Sequence, residues 1–404
     1  MMERPSLTCL SALALVSSLA LAACDGGGVP PTDGLPDPPA VGEWIAIEPG
    51  GDTLCSRGTP YRFFVRGGRP DRVMVDFQGG GACWDEVTCG AAGVIGLFTE
   101  DVGTLDEFLG FVERSGQGGY LSDAPDNPFR DWTLVHIPYC TGDIHWGNAR
   151  TTYGSDTIEH RGFVNASAAL DWIYRRYPDP SNVFVSGCSA GAYGAALHSA
   201  YLAQHYPGAQ VSVFADSGAG IITESFLVDS LPNWNAQANL PSFVPGLDVP
   251  LRELSLAEVY IRIGERFPSM RLAQQSTQYD QDQVFFYTAM GGMRADWPPA
   301  MRASHDRIAA AIPNFTAYVP GGSMHCAGIY PFFTEREVDG IRLSAWTEQL
   351  AVGETIPPRV GCAGASCCED PVCDECAALP EADRPSYCRF CARWPSDWPE
   401  CAMP

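Results

Sequence analysis

Between Val41 and about Pro357, short apolar runs alternate with stretches whose apolar positions recur every three or four residues. That alternation is the pattern of an α/β fold. The runs predict strands at Tyr61–Val65, Arg72–Phe77, Trp132–Ile137, Val183–Ser186, Val211–Ala215, Met270–Ser276 and Phe315–Val319. The periodic stretches predict helices that include Gly162–Tyr177, Ala190–His205, Gln281–Met290 and Pro299–Ala311. Within the first of these, Phe163, Ala166, Leu170, Ile173 and Tyr177 share one face, as a crossover helix between parallel strands requires. The alternation breaks from about 221 to 267, where Pro232, Pro241, Pro245 and Pro250 interrupt apolar segments. A cap over a site is expected there.

Both ends of the chain differ from this middle. Residues 1–23 carry Arg4 and an apolar run of export-signal length, too short and too rich in small residues to be a comfortable membrane span. The run closes on Leu21-Ala22-Ala23-Cys24, a lipobox-like sequence in which Cys24 becomes the lipidated N-terminus. Residues 24–40 are rich in Gly and Pro and read as a tether. At the other end, residues 358–404 hold eight cysteines. Their Cys373-x2-Cys376 and Cys388-x2-Cys391 pairs have zinc-like spacing, but in an oxidising compartment disulfides are the expectation and no metal is assigned. The expected location is therefore extracytoplasmic, with the membrane as a partner through a lipid anchor at Cys24; the alternative is a secreted protein.

Charge narrows the partners. The 404 residues carry 48 acidic and 25 basic side chains, a net charge of −23, which argues against nucleic acid. All the basic residues are arginine; without lysine, Walker-type phosphate loops, Schiff-base chemistry and serine–lysine dyads are excluded.

The stretch Val183–Gly194, VFVSGCSAGAYG, places Ser189 between a strand and a helix with Gly187 and Gly191 two residues to either side. This G-x-S-x-G arrangement is a nucleophile elbow: the turn admits only small neighbours and lifts the hydroxyl to a helix N-terminus. A serine nucleophile needs an imidazole base, and in this fold the base follows it in the chain. His198 lies nine residues along the elbow's own helix, about 13 Å away at 1.5 Å per residue, and His205 is farther. His305 sits in an amphipathic helix and reads as a packing residue. His325, on the Gly-rich loop after the last predicted strand, remains. For the acid, Asp280 is preferred over Asp216 and Asp282 because it lies one strand–helix unit before His325. The triple glycine Gly79-Gly80-Gly81 after strand Arg72–Phe77 supplies backbone donors for an oxyanion, with Ala190 as the other half. Cys188 and Cys326 flank the nucleophile and the base, so a disulfide between them is expected.

Four blocks in order, QGGGACW with Cys89 following, IPYC, GCSAG, and YDxxQ with MHC, resemble the pectin acetylesterase and Notum family of serine esterases over roughly Glu48 to Phe333. The resemblance implies an α/β-hydrolase-like fold with a mainly parallel sheet flanked by helices, occupying residues 41–357 as the catalytic domain. It implies Ser189, Asp280 and His325 as catalytic residues and Gly80, Gly81 and Ala190 as oxyanion donors. It also implies disulfides Cys55–Cys140 and Cys83–Cys89, and no cofactor. One departure stands out: many relatives place tryptophan just before the block's cysteine, where this chain has Ala82 and then Trp84. Trp84, Asp143, His145 and Asp216 are expected to face substrate. The motif blocks hold no arginine, so an acyl ester on a neutral carbohydrate is expected in preference to a polyanionic one. The alternatives are a deacylase of longer acyl chains and a catalytically silent surface binding module with the Cys-rich tail as its adhesive part.

Overall fold

The computed structural model describes residues 34–90, 97–114, 118–353, 355–391, 398 and 401. Residues 1–23, the expected export signal, and Cys24, the expected lipidation site, lie outside the described residues. The strands are β1 Trp44–Ile47, β2 Phe63–Arg66, β3 Arg69–Phe77, β4 Trp132–Ile137, β5 Ala149–Tyr153, β6 Asp156–His160, β7 Asn182–Cys188, β8 Gln210–Asp216, β9 Arg271–Gln275, β10 Phe315–Val319, β11 Glu337–Val338, β12 Ile341–Arg342 and β13 Val360–Gly361. Nine of them form one sheet in the order β1-β2-β4-β3-β7-β8-β9-β10-β13. From β4 to β13 the pairings are parallel, whereas β1 pairs with β2, and β2 with β4, antiparallel.

All seven predicted strands are present in this sheet. The parallel strands are largely buried, and buried parallel strands are enriched in apolar residues, which makes most of them legible. Alternate residues feed two cores: Val73, Val75, Phe77, Val183 and Val185 face one, while Met74, Phe184 and Phe214 face the other. The helix Ala190–His205 closes the first core against β7 and β8, and Leu343–Val352 closes the second through Leu343, Trp346 and Leu350.

The register brings function to one edge. Phe77 pairs with Ile137 and Gly187, Cys188 with Asp216, and Asp216 with Gln275. The loops that carry the sequence motifs therefore leave the sheet side by side from its carboxyl end, where ligands bind in open α/β sheets.

Three expected boundaries shift. Leu35 and Pro36, expected in the tether, instead accept hydrogen bonds through their carbonyls from Arg176 Nη2 at 2.7 Å and Trp172 Nε1 at 2.9 Å. Within the segment 221–267, expected as a cap, Ser255 N-caps Leu256–Arg266, which is instead a crossover helix packed on β9 and on the helix Trp297–Ala311. The tail expected to begin at 358 first contributes β13 to the main sheet, then folds as short helices crosslinked by Cys362–Cys367, Cys368–Cys401, Cys373–Cys391 and Cys376–Cys388. Among the described residues no helix is long and apolar enough to cross a membrane.

Candidate active site

Ser189 joins β7 to its helix with φ 58° and ψ −123°, a conformation non-glycine residues rarely hold. Such backbone costs about 1–3 kcal/mol and persists only where its surroundings enforce it. The neighbours explain the glycines: a Cβ on Gly187 would lie 2.2 Å from the Gly191 carbonyl oxygen, and one on Gly191 would lie 1.9 Å from that of Phe77. The serine N–H donates to the Asp216 carbonyl at 2.8 Å, locking the turn to β8.

His325 Nδ1 and Asp280 Oδ1 are 2.8 Å apart, with Asp280 wholly buried. Asp280 lies beyond β9 rather than at its end, as the N-cap of Gln281–Ala289, where its Oδ1 also accepts from the Gln283 N–H at 3.0 Å. Gln283 Nε2 donates to Asp280 Oδ2 at 2.9 Å and to Ser276 Oγ at 2.7 Å, while its Oε1 accepts from the Ala219 N–H at 2.7 Å. The carboxylate is thereby saturated and aimed. Asp282 stands on the other side of the imidazole, with Oδ2 4.0 Å from Nε2. Burial alone would lower the His325 pKa, but Asp280, Asp282 and the more distant Asp216 together push it up to about 9.

Further links hold the histidine loop. Cys326 is disulfide-bonded to Cys188, and the Cys326 N–H donates to Ser217 Oγ at 2.8 Å. Asp216 Oδ2 accepts from the N–H groups of Ala327 and Gly328 at 2.8 and 2.7 Å. Past the carboxyl ends of β3 and β4, Cys55 bonds Cys140 and Cys83 bonds Cys89, the two pairings that the sequence resemblance implies. The second of them begins two residues after the last of the three glycines.

The glycine loop bends with positive φ at Gly80 and Gly81, and Gly81 bridges to Phe98. The Ala82 N–H donates to the Leu97 carbonyl at 3.2 Å. Gly81 and Ala190 line the same cleft as Ser189 and His325. Gly80 is packed against Thr99 and Tyr139, where a Cβ would stand 2.7 Å from Thr99 Oγ1. The rest of the cleft lining is mostly apolar, with Trp84, Ile144, Phe226, Phe286, Met290 and Trp297 among its members. Trp84 and Phe226 meet edge to face at 5.2 Å.

Of the four residues expected to face substrate, Trp84 lines the cleft. The other three need correction: each is buried, bonds backbone groups, and is not among the residues that line the cleft. Asp143 accepts from Thr141 Oγ1 at 2.6 Å and from the Gly162 N–H at 2.7 Å, and burial raises its pKa to about 6. His145 Nε2 donates to the Gln78 carbonyl at 2.9 Å, just before the triple glycine, and burial lowers its pKa to about 3. Asp216 supports the histidine loop as described. Sequence reasoning missed Phe226, Phe286 and Met290. The spacing of Phe286 and Met290, one helical turn apart, was the available signal.

Residues 47–229 match the pectinacetylesterase family model. The matched segment contains Gly80, Gly81, Ser189 and Ala190, and ends before Asp280 and His325. The chain is 30% identical over 131 residues to pectin acetylesterase 7 of Arabidopsis thaliana, covering 31% of each protein. It is 28% identical over 179 residues to pectin acetylesterase 5 of the same plant, covering 43% of this chain and 40% of the relative. The matches thus span well under half the length of these pectin acetylesterases. Among solved structures, the Wnt deacylase Notum from Drosophila superposes with a TM-score of 0.55 at 18% identity, over 74% of this chain and 90% of that one. The fold is Notum-like α/β hydrolase.

Proposed function

We propose that the chain is a serine carboxylic ester hydrolase of the pectin acetylesterase type, with Ser189 as nucleophile, His325 as base and Asp280 as the acid that orients it. One observation carries the reading: a serine held at φ 58° shares a cleft with a histidine whose Nδ1 is bonded to a buried carboxylate. The Nδ1–H donated to Asp280 leaves Nε2 to take the proton from Ser189 Oγ. The freed oxygen attacks the acyl carbonyl, and the oxyanion that forms is met by the N–H groups of Gly81 and Ala190, with Gly80 as the further donor. His325 returns the proton to the departing alcohol, leaving an acyl-enzyme. A water deprotonated by the same imidazole then releases the acid and restores Ser189. Every proton in this cycle is handled by the chain's own groups, so the reading needs no cofactor.

The substrate under this reading is an acylated carbohydrate or similar ester, with a short acyl group entering the apolar cleft. The cleft lining holds no arginine among the described residues, and Asp282 stands at its histidine, which favours a neutral carrier over a polyanion. A deacylase of longer chains is favoured by a separate observation, the number of large apolar side chains around Ser189. The disulfides fit an oxidising, extracytoplasmic compartment, with Cys24 as the proposed lipid anchor. Hydrolysis of a p-nitrophenyl ester series from acetyl to octanoyl tests the reading. Turnover that falls as the chain lengthens supports the short-acyl form, an optimum at six or more carbons the longer one, and no turnover of any ester sinks both.

A further inference from the structure

The Cys-rich tail lies against the loop that delivers the histidine, and one side chain joins them. Asp370 is 1% exposed and sits between Cys368 and Cys373, whose disulfides reach Cys401 and Cys391. Its Oδ1 caps the helix Pro371–Ala378 by accepting from the Cys373 N–H at 3.2 Å. Its Oδ2 accepts from the Ser323 N–H at 2.7 Å, two residues before His325. The Gly322 N–H donates to the Cys367 carbonyl at 3.0 Å, and the Cys362 N–H to the Val319 carbonyl at 2.8 Å. The approach is so close that a Cβ on Gly321 would stand 2.1 Å from the Ser366 carbonyl oxygen, and one on Gly322 would stand 2.4 Å from Asp370 Oδ2.

The opposite side of the same loop meets the segment of the acid. The carbonyls of Gly322 and Ser323 accept from the N–H groups of Tyr279 and Gln281 at 3.0 and 3.1 Å, on either side of Asp280. Tyr279 in turn stacks on Trp398 of the tail, with ring centroids 4.9 Å apart. The loop is therefore gripped between the acid's segment and the tail.

We propose that Asp370 is a positioning residue for His325, acting through Ser323, and that the disulfide-crosslinked tail is a brace for the catalytic histidine rather than a separate adhesive module. The proposal rests on the functional reading above. A displacement of about 1 Å in a catalytic group can cost on the order of a hundredfold in rate. Loosening this brace is thus expected to lower kcat while leaving the apolar substrate cleft, and hence KM, in place.

The test uses the full chain and p-nitrophenyl acetate. Asp370→Ala removes the acceptor; its kcat is expected to fall roughly tenfold to a hundredfold, with KM within about twofold of the wild type. Asp370→Asn keeps an oxygen for the Ser323 N–H and is expected to recover most of that loss. A folded Asp370→Ala variant with wild-type kcat overturns the proposal, as does a loss that appears in KM alone. If Asp370→Ala does not fold, the double variant Cys373→Ser, Cys391→Ser removes the crosslink next to Asp370 and leaves the carboxylate. There too a lowered kcat at unchanged KM is expected, and wild-type kcat overturns the proposal. Wild-type protein that hydrolyses no ester removes the functional reading and this one together; ester hydrolysis through Ser189 that ignores Asp370 removes this one alone.

Discussion

Cys188 and Cys326 are joined by a disulfide with Cα atoms 5.8 Å apart, so the residue before Ser189 and the residue after His325 are one covalent unit. The bridge spans a sequence separation of 138 residues, and the segment it closes contains Asp216 and Asp280 as well. Crosslinks of this reach stabilise by about 2–5 kcal/mol, chiefly by restricting the unfolded chain. Replacing both cysteines by alanine is expected to lower the denaturant midpoint by a corresponding amount and to reduce kcat. Unchanged stability and turnover would show that the hydrogen bonds of Asp216 and Ser217 hold the loop unaided.

The two buried aspartates at the site differ in what they touch. Asp280 bonds the imidazole, whereas Asp216 bonds two backbone N–H groups of the loop beyond it. Asp280→Asn is expected to lower kcat by about 10³–10⁴, because the amide no longer selects the required tautomer. Asp216→Asn keeps one acceptor oxygen and is expected to cost much less. Steady-state kinetics on both folded variants check this; a larger loss at Asp216 would transfer the role of the acid to it.

Activity should rise with pH. His325 must be neutral to act as base, and the carboxylates of Asp280, Asp282 and Asp216 push its pKa up to about 9 against the effect of burial. The kcat/KM profile is expected to climb through a midpoint near pH 9. Asp282→Asn takes away one of the charges that favour the imidazolium, so the midpoint should move to lower pH. A midpoint that stays put, or moves up, would contradict the electrostatic role given to Asp282.

Trp84 bears on acyl size. It packs against Phe226 in the cleft wall, and Trp84→Ala opens space beside Ser189. The expected outcome is a shift of the p-nitrophenyl ester preference toward longer chains; a chain-length profile identical to the wild type would place the acyl group elsewhere.

On the carrier side, acetylated neutral polysaccharide should release acetate faster than acetylated polygalacturonate at low salt. Charge repulsion acts within a Debye length of about 8 Å at physiological ionic strength, so the cleft's own lining decides the outcome. Faster turnover of the polyanion, falling steeply as salt rises, would reveal basic residues at the cleft mouth.

Much of this architecture is legible because it rests on local rules. The strands β3, β7 and β8 each carry a short cluster of buried apolar residues, at 73–75, 183–185 and 213–215, and the elbow glycines Gly187 and Gly191 are required by contacts with the chain's own backbone. What sequence does not supply is direction. Asp143, His145 and Asp216 stand next to motif residues in the chain, yet their side chains are buried, bond backbone N–H and C=O groups, and do not line the cleft. Proximity along a loop does not say which wall a side chain faces. The edge strand β13 goes unpredicted because its two residues carry no periodicity. Asp370 gives no signal at all: its partner, Ser323, is 47 residues away.

The most direct measurement is labelling with a fluorophosphonate, followed by peptide mass mapping and an ester-hydrolysis assay on the same sample. The expected result is one adduct on the peptide carrying Ser189, loss of hydrolysis in step with labelling, and neither labelling nor hydrolysis in a folded Ser189→Ala variant. An adduct on another residue, or undiminished hydrolysis by folded Ser189→Ala, would contradict the assignment of Ser189 as the nucleophile.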